Sequence, residues 1–181
     1  MPPFKRPSMA LVRAAFSSNF LSRSPEKRWE GIAVLKGISP VLGAEALWVL
    51  AAMGHGDDLA LVDRNFPATE VASRTVTGRL VRLDGVDATT AARAIFSLLP
   101  IDGFVDDPIR RMEVVGEPDT VLEVHREVLA EARAAEGRDI PLASIERHAF
   151  YVAARQAFAI IQTTESRPYG CFLVRKGVVF D

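Results

Sequence analysis

Chemistry first concentrates at Gly54-His55-Gly56-Asp57-Asp58, where an imidazole stands between two glycines and two carboxylates follow directly. Glycine neighbours leave the ring open to a small ligand and let the backbone turn sharply. His55 also falls just beyond an apolar stretch that reads as a helix, whose carbonyl end favours a protonated ring. A histidine so placed suits a general acid near neutral pH. It equally suits a helix cap bonded to the last carbonyls, and spacing alone leaves both readings open. Asp57 and Asp58 fit simple strand-entry positions. Asp63 is different: it ends an apolar run, and ligands of open α/β sheets bind outside strand ends.

Two further groups carry donors. Arg147-His148-Ala149-Phe150-Tyr151 offers a planar fork suited to vicinal sugar hydroxyls or a carboxylate. On a helix, Arg147 and Tyr151 share a face; the competing reading is a surface arginine paired with Glu146. Arg167-Pro168-Tyr169-Gly170-Cys171 enters the last apolar run. There Tyr169 and Cys171 point the same way along a strand, and Gly170 leaves room for a ligand beside the backbone. The competing reading is a turn with a packing tyrosine. His125 is expected on the solvated side of its helix. One histidine with carboxylates and no second His or Cys nearby is a thin ligand set, so no metal is expected. No glycine-rich nucleotide loop, serine-hydrolase elbow or zinc spacing occurs.

The elements that must position these groups alternate. Helices are expected over 43–53, 87–99, 119–135 and 148–156, with Gly54 as a left-handed cap for the first, Asp87 capping the second and Gly137 closing the third. In the third, Leu122, Leu129 and Ala132 are expected inward, with Glu123, Arg126 and Glu127 outward. Strands are expected over 58–63, 76–83, 109–115, 140–145, 157–162 and 171–174, and a loop over 68–75. This alternation argues for a single layered α/β domain, with helices packed on a central sheet.

At 181 residues the chain suffices for one domain with a real core. A net charge of −1 with interleaved signs gives no electrostatic case for nucleic acid or an anionic membrane. No window approaches 18 uninterrupted apolar residues, so no spanning helix is expected. The single cysteine, Cys171, forms no internal disulfide and fits a reducing compartment. A soluble, cytoplasmic protein is the expectation. Residues 1–34 differ: up to Pro25 they hold four basic residues, five serines and no acid, so they read as a leader, a disordered extension or a misassigned start. The functional domain is expected over 35–181.

Taken in order, the segments LKGISP, MGHGD, Asp63-Arg64-Asn65-Phe66-Pro67-Ala68, RHAFY, AFAII and YGC-x₃-RKGV resemble the L-fucose mutarotase branch of the ribose pyranase/fucose mutarotase family. The similarity runs from about Leu35 to Val179; MGHGD followed by D-x-x-FPA is its most specific part. It implies that family's α/β fold and a cofactor-free aldose mutarotase that exchanges the α and β anomers of a pyranose such as L-fucose. It implies a ring-like homo-oligomer, typically a decamer, with sites near subunit contacts. His55 would then be the catalytic proton donor, while Asp63, Arg147 and the Tyr169-Gly170-Cys171 segment would hold the sugar. Cys171 stands where the family commonly has Asn, and Glu146 and His148 stand where it more often has Asn and Phe. Pyranose–furanose exchange on another sugar, and a non-catalytic sugar-binding or transport-accessory role, are the alternatives. Reach sets a condition. Fully extended, residues 55–63 separate His55 from Asp63 by up to about 26 Å at roughly 3.3 Å per residue. Either the chain turns hard at Gly56 or a second subunit completes the site.

Overall fold

The computed structural model describes residues 35–180. The expected leader, residues 1–34, lies outside the described residues. Eleven elements follow in order: α1 (Ala44–Ala52), β1 (Asp58–Val62), α2 (Ala68–Ala72), β2 (Leu80–Leu83), α3 (Ala88–Phe96), β3 (Ile109–Met112), α4 (Glu123–Glu136), β4 (Leu142–Ile145), α5 (Arg147–Gln156), β5 (Ala159–Thr163) and β6 (Phe172–Arg175). Short apolar runs buried on both faces mark the central strands, and burial along one face marks the helices.

The sheet runs β2-β5-β1-β6-β3-β4. β2 with β5, β5 with β1, and β3 with β4 are parallel, while β6 runs antiparallel between β1 and β3. Side chains alternate across β1, and each set meets its own core. Leu59 and Leu61 pack with α1, α3 and α4, whereas Ala60 and Val62 pack with α2 and α5. Helices therefore cover both faces, which is why β1 and β5 read as continuous apolar runs. The layered α/β architecture is as expected.

Several local features follow from identifiable caps. The Asp87 carboxylate accepts from the Thr90 N–H at 2.7 Å and starts α3. Gly137 ends α4 in the left-handed conformation, φ 65°. Two expectations fail nearby. Residues 68–75 begin with the short helix α2, because Val71 and Ala72 find an apolar slot beside α5. And α1 ends through an extended Met53, not a left-handed Gly54. The left-handed residue is Gly56, φ 84°, in a tight turn where Asp57 N–H donates to the Gly54 carbonyl and the Asp57 carboxylate accepts from Gly54 N–H.

Candidate functional site

Parallel strands place their carboxyl ends on one edge of a sheet, and an antiparallel neighbour contributes its amino end to that edge. Asp63 follows β1, Met112 ends β3, Arg147 begins α5 just after β4, and Tyr169 and Cys171 precede antiparallel β6. Together with Asn65, Phe66, Tyr151 and Pro168 they line one cavity of about 200 Å³. It lies outside the carboxyl ends of β1 and β3, the edge on which open α/β sheets hold ligands. A wider groove of about 550 Å³ runs along β2 and the start of α1, where Glu45, Arg82 and Asp84 mix with Val41, Val81 and Val86. None of the expected site residues reaches that groove, and its side chains come from neighbouring surface segments.

Within the smaller cavity the groups are held in defined geometry. The Asp63 carboxylate is 5% exposed; Oδ1 accepts from Asn65 N–H at 2.9 Å and Oδ2 accepts from the Cys171 thiol at 3.4 Å. Burial, followed by the Asp63 charge, pushes the Cys171 thiol well up, so it stays protonated and donates. Cys171 thus braces the carboxylate. The Gln162 side-chain amide shares its two N–H donors among the Asp63, Arg64 and Phe66 carbonyls and fixes the turn that presents Asp63.

Arg147 and Tyr151 do share a face of α5: Nε donates to the tyrosine oxygen at 3.3 Å, and the guanidinium sits 5.8 Å from its ring centroid. The competing pairing with Glu146 does not form. That carboxylate instead caps α5, accepting from His148 N–H at 2.7 Å and Ala149 N–H at 3.0 Å. Among the described residues Arg147 has no carboxylate partner, so its fork is available to a ligand.

Tyr169 is the only described non-glycine residue with positive φ, 61°. Its hydroxyl accepts from Val115 N–H at 3.4 Å. Gly170 plays another part than expected. A Cβ there would lie 2.9 Å from Glu165 Cγ and 3.6 Å from Asp63 Cβ, so the missing side chain admits the protein's own packing. Gly170 is buried and is not part of the cavity lining. Behind it, the buried Glu165 carboxylate accepts from Arg167 Nε at 3.0 Å and from Ala88 N–H at 3.3 Å. The Arg167 guanidinium is the main cause that pulls the Glu165 carboxyl down to about 2. This ion pair braces the loop carrying Tyr169, and no motif signalled it.

His55 lies at the other edge of the sheet, before β1. Its Nε2 is 3.3 Å from Asp102 Oδ2; the histidine is half-exposed and the aspartate 2% exposed. The other Asp102 oxygen accepts from Phe104 N–H at 2.9 Å, and the Phe104 ring meets His55 edge-on with centroids 5.6 Å apart. Asp102 stands 47 positions away and enters through the bend after α3; an aspartate following Pro100-Ile101 carries no motif of its own, so nothing in the sequence links it to His55. The helix-cap reading of His55 fails, since Lys176 Nζ, rather than the imidazole, donates to the Met53 carbonyl. Asp58 is neutralised by Arg175, at 3.1 Å, and by Arg110, and Asp57 closes the turn, so both have structural roles.

Gly56 does turn the chain sharply, yet the extended β1, about 16 Å long at 3.2–3.4 Å per residue, still separates His55 from the Asp63 cavity. Among the described residues no three His, Cys, Asp or Glu side chains converge as metal ligands. No described helix is long and apolar enough to cross a membrane. His125, expected in solvent, is fully buried, and the buried face of α4 is Val124, His125, Val128 and Ala132. Of the expected inward residues Ala132 is buried and Leu122 and Leu129 are half-buried against the same core, so the apolar face is as expected but wider, taking in Val124, His125 and Val128.

Known proteins resemble this chain over most of its length. An L-fucose mutarotase of Actinobacillus pleuropneumoniae is 36% identical over 145 residues, 80% of this chain and 97% of that one. The fucose mutarotase of Homo sapiens is 36% identical over 155 residues, 82% of this chain and 96% of that one. The crystal structure of the fucose mutarotase from Streptococcus pneumoniae in complex with L-fucose superposes with a TM-score of 0.72 at 31% identity, covering 81% of this chain and all of that one. A family model matches residues 36–179, and the chain belongs to the RbsD / FucU transport protein family.

Proposed function

We propose that this protein is a cofactor-free mutarotase that interconverts the α and β anomers of L-fucose or a closely related monosaccharide in the cytoplasm. The observation that carries this reading is the convergence of Asp63, Arg147, Tyr169 and Cys171, drawn from separate segments, on one sugar-sized cavity. Relatives named fucose mutarotases match four-fifths of the chain, which supports fucose as the first substrate to try.

Anomers exchange through the open aldehyde. The anomeric hydroxyl loses a proton, the ring oxygen gains one, and rotation about C1–C2 precedes reclosure. Asp63 and the Arg147 fork hold ring hydroxyls, the first accepting and the second donating. Tyr169 offers its hydroxyl to the same sugar, and the Cys171 thiol steadies Asp63. His55 shuttles the proton. With Nε2 turned to Asp102, the neutral imidazole takes the anomeric hydroxyl's proton on Nδ1, the buried carboxylate stabilises the imidazolium that forms, and Nδ1 then gives a proton to the ring oxygen as the C1–O bond opens. One positioned acid/base group contributes about 10²–10⁴-fold, ample for a reaction that already proceeds in water.

Because β1 separates His55 from the cavity, the reading includes a second copy that brings its own His55 to this cavity, within a ring-like homo-oligomer, a decamer by family resemblance. Phe104, which meets the His55 ring, is strongly exposed, as are Val179 and Phe180, and Phe104 and Phe180 stack edge-on, which suits burial against another copy. The His55–Asp102 pair favours an enzyme over a purely sugar-binding protein, since binding requires no proton donor. Saturation-transfer NMR on fucose, ribose, galactose and rhamnose tests the reading. Accelerated anomer exchange of fucose is expected, and wild-type protein that accelerates exchange of none of them would overturn it.

A further inference from the structure

Tyr169 faces a physical difficulty. A bulky aromatic residue at φ 61° crowds its Cβ against its own carbonyl, and only the surroundings hold it there. Relaxation to negative φ would rotate the peptide that follows and carry the phenol away from Asp63 and Arg147. The neighbouring loop braces act on Glu165 and Gly170, not on the Tyr169 peptide itself.

The group that meets this peptide is His125 on α4. Its Nε2 lies 2.9 Å from the Tyr169 carbonyl oxygen, and its Nδ1 accepts from the Leu122 N–H at 3.1 Å. One neutral tautomer, protonated on Nε2, satisfies both contacts. The ring is fully buried and lies edge-on to Phe172, centroids 5.7 Å apart. We infer that His125 is a positioning residue for the sugar site, a rigid strut from the first turn of α4 that holds Tyr169 left-handed with its phenol in the cavity. The inference rests on the mutarotase reading for its consequence, while the strut itself is a property of the fold. Burial, with a smaller contribution from nearby Arg111 and Arg126, keeps the imidazole neutral by lowering it to about 4.

Two substitutions separate the ends of the strut. His125→Asn places an amide near Nδ1, so it can still accept from Leu122 N–H, but it stops short of Tyr169. His125→Gln reaches the Nε2 position and can donate to the Tyr169 carbonyl, but leaves Leu122 N–H without that acceptor. The chain has only two tyrosines, so ¹³C-tyrosine NMR reads Tyr169 directly, with Tyr169→Phe identifying its signal. The expected result is a shifted or broadened Tyr169 signal and about 10- to 100-fold slower fucose exchange in folded His125→Asn, with both nearly native in His125→Gln. In a Tyr169→Phe background, His125→Asn should slow exchange no further, whereas a merely structural histidine would cost the same factor in both backgrounds. An unmoved Tyr169 signal in His125→Asn, or equal losses in the two backgrounds, overturns the inference. Should wild-type protein exchange no sugar, the mutarotase reading fails and the tyrosine signal still decides the role of His125. Should His125→Asn fail to fold, His125→Gln decides: a displaced Tyr169 signal there, with the donor retained, overturns the strut.

Discussion

His55 and Asp63 stand at opposite ends of the same strand, one just before β1 and the other just after it. The two groups proposed for proton transfer and sugar binding therefore face opposite edges of one sheet, and a single chain cannot bring both to one pyranose. If the proposed pairing of copies is right, His55→Ala and Arg147→Ala proteins are each nearly inactive, His55→Ala by about 10²–10⁴-fold. Mixed by refolding or co-expression, they should regain about one quarter of wild-type activity by random assortment, since each shared site needs an intact His55 from one copy and an intact Arg147 from its neighbour. Saturation-transfer NMR on the mixture checks this; a mixture no more active than its components would place both groups in one chain's site.

Asp102 should matter through His55 rather than through the fold. Asp102→Asn keeps an oxygen to accept from Phe104 N–H but removes the charge that steadies the imidazolium. The expected loss is roughly 10- to 100-fold in kcat with little change in KM, because the carboxylate touches the histidine and not the sugar. Circular dichroism and melting should stay close to wild type. A kcat unchanged from wild type would remove Asp102 from the mechanism.

Much of this was legible in the residues. β1 and β5 announce themselves as short apolar runs because both faces are covered, and Asp87 and Gly137 act where helix-end chemistry requires them. Arg147 and Tyr151 meet because helical spacing makes them neighbours. What stayed hidden is what sequence distance conceals. Asp102 reaches His55 only because the bend after α3 lies beside the end of β6, where Asp102 N–H donates to the Arg175 carbonyl. Likewise, His125 looks like a surface residue until the Tyr169 carbonyl and the Phe172 ring are found against it, and Gly170 looks like room for a ligand until Glu165 is found filling it.

Gly170 provides a packing test. Its φ is not in the left-handed region, so alanine there is penalised by contact alone. A Cβ at 2.9 Å from Glu165 Cγ forces the buried Glu165–Arg167 pair to move. Gly170→Ala should cost about 1–3 kcal/mol, the usual range for overpacking, and weaken sugar binding as the Tyr169 loop shifts. Chemical denaturation and a fucose titration read the two effects; a stability equal to wild type would show that the pair yields freely.

Acid stability follows from two buried groups with opposite charge types but the same sign of effect. The unfolded His125 titrates near 6.5 and the folded one near 4, so between these values the unfolded chain binds the extra proton and stability falls as pH drops. Protonation would also set an N–H at Nδ1 against the Leu122 N–H. The full difference is about 3 kcal/mol, of which about 2 kcal/mol is lost between pH 7 and pH 5. Glu165 acts lower. Its folded carboxyl titrates near 2 against an unfolded 4.5, chiefly because of Arg167, so its contribution is present above 4.5 and disappears as pH falls toward 2. Denaturant melts of wild type and His125→Gln at pH 7, 6, 5 and 4 separate the two. The variant should be less stable at pH 7 yet flat between 6.5 and 4.5, and then fall with wild type below 4.5. Parallel curves across the upper window would mean that His125 does not control it.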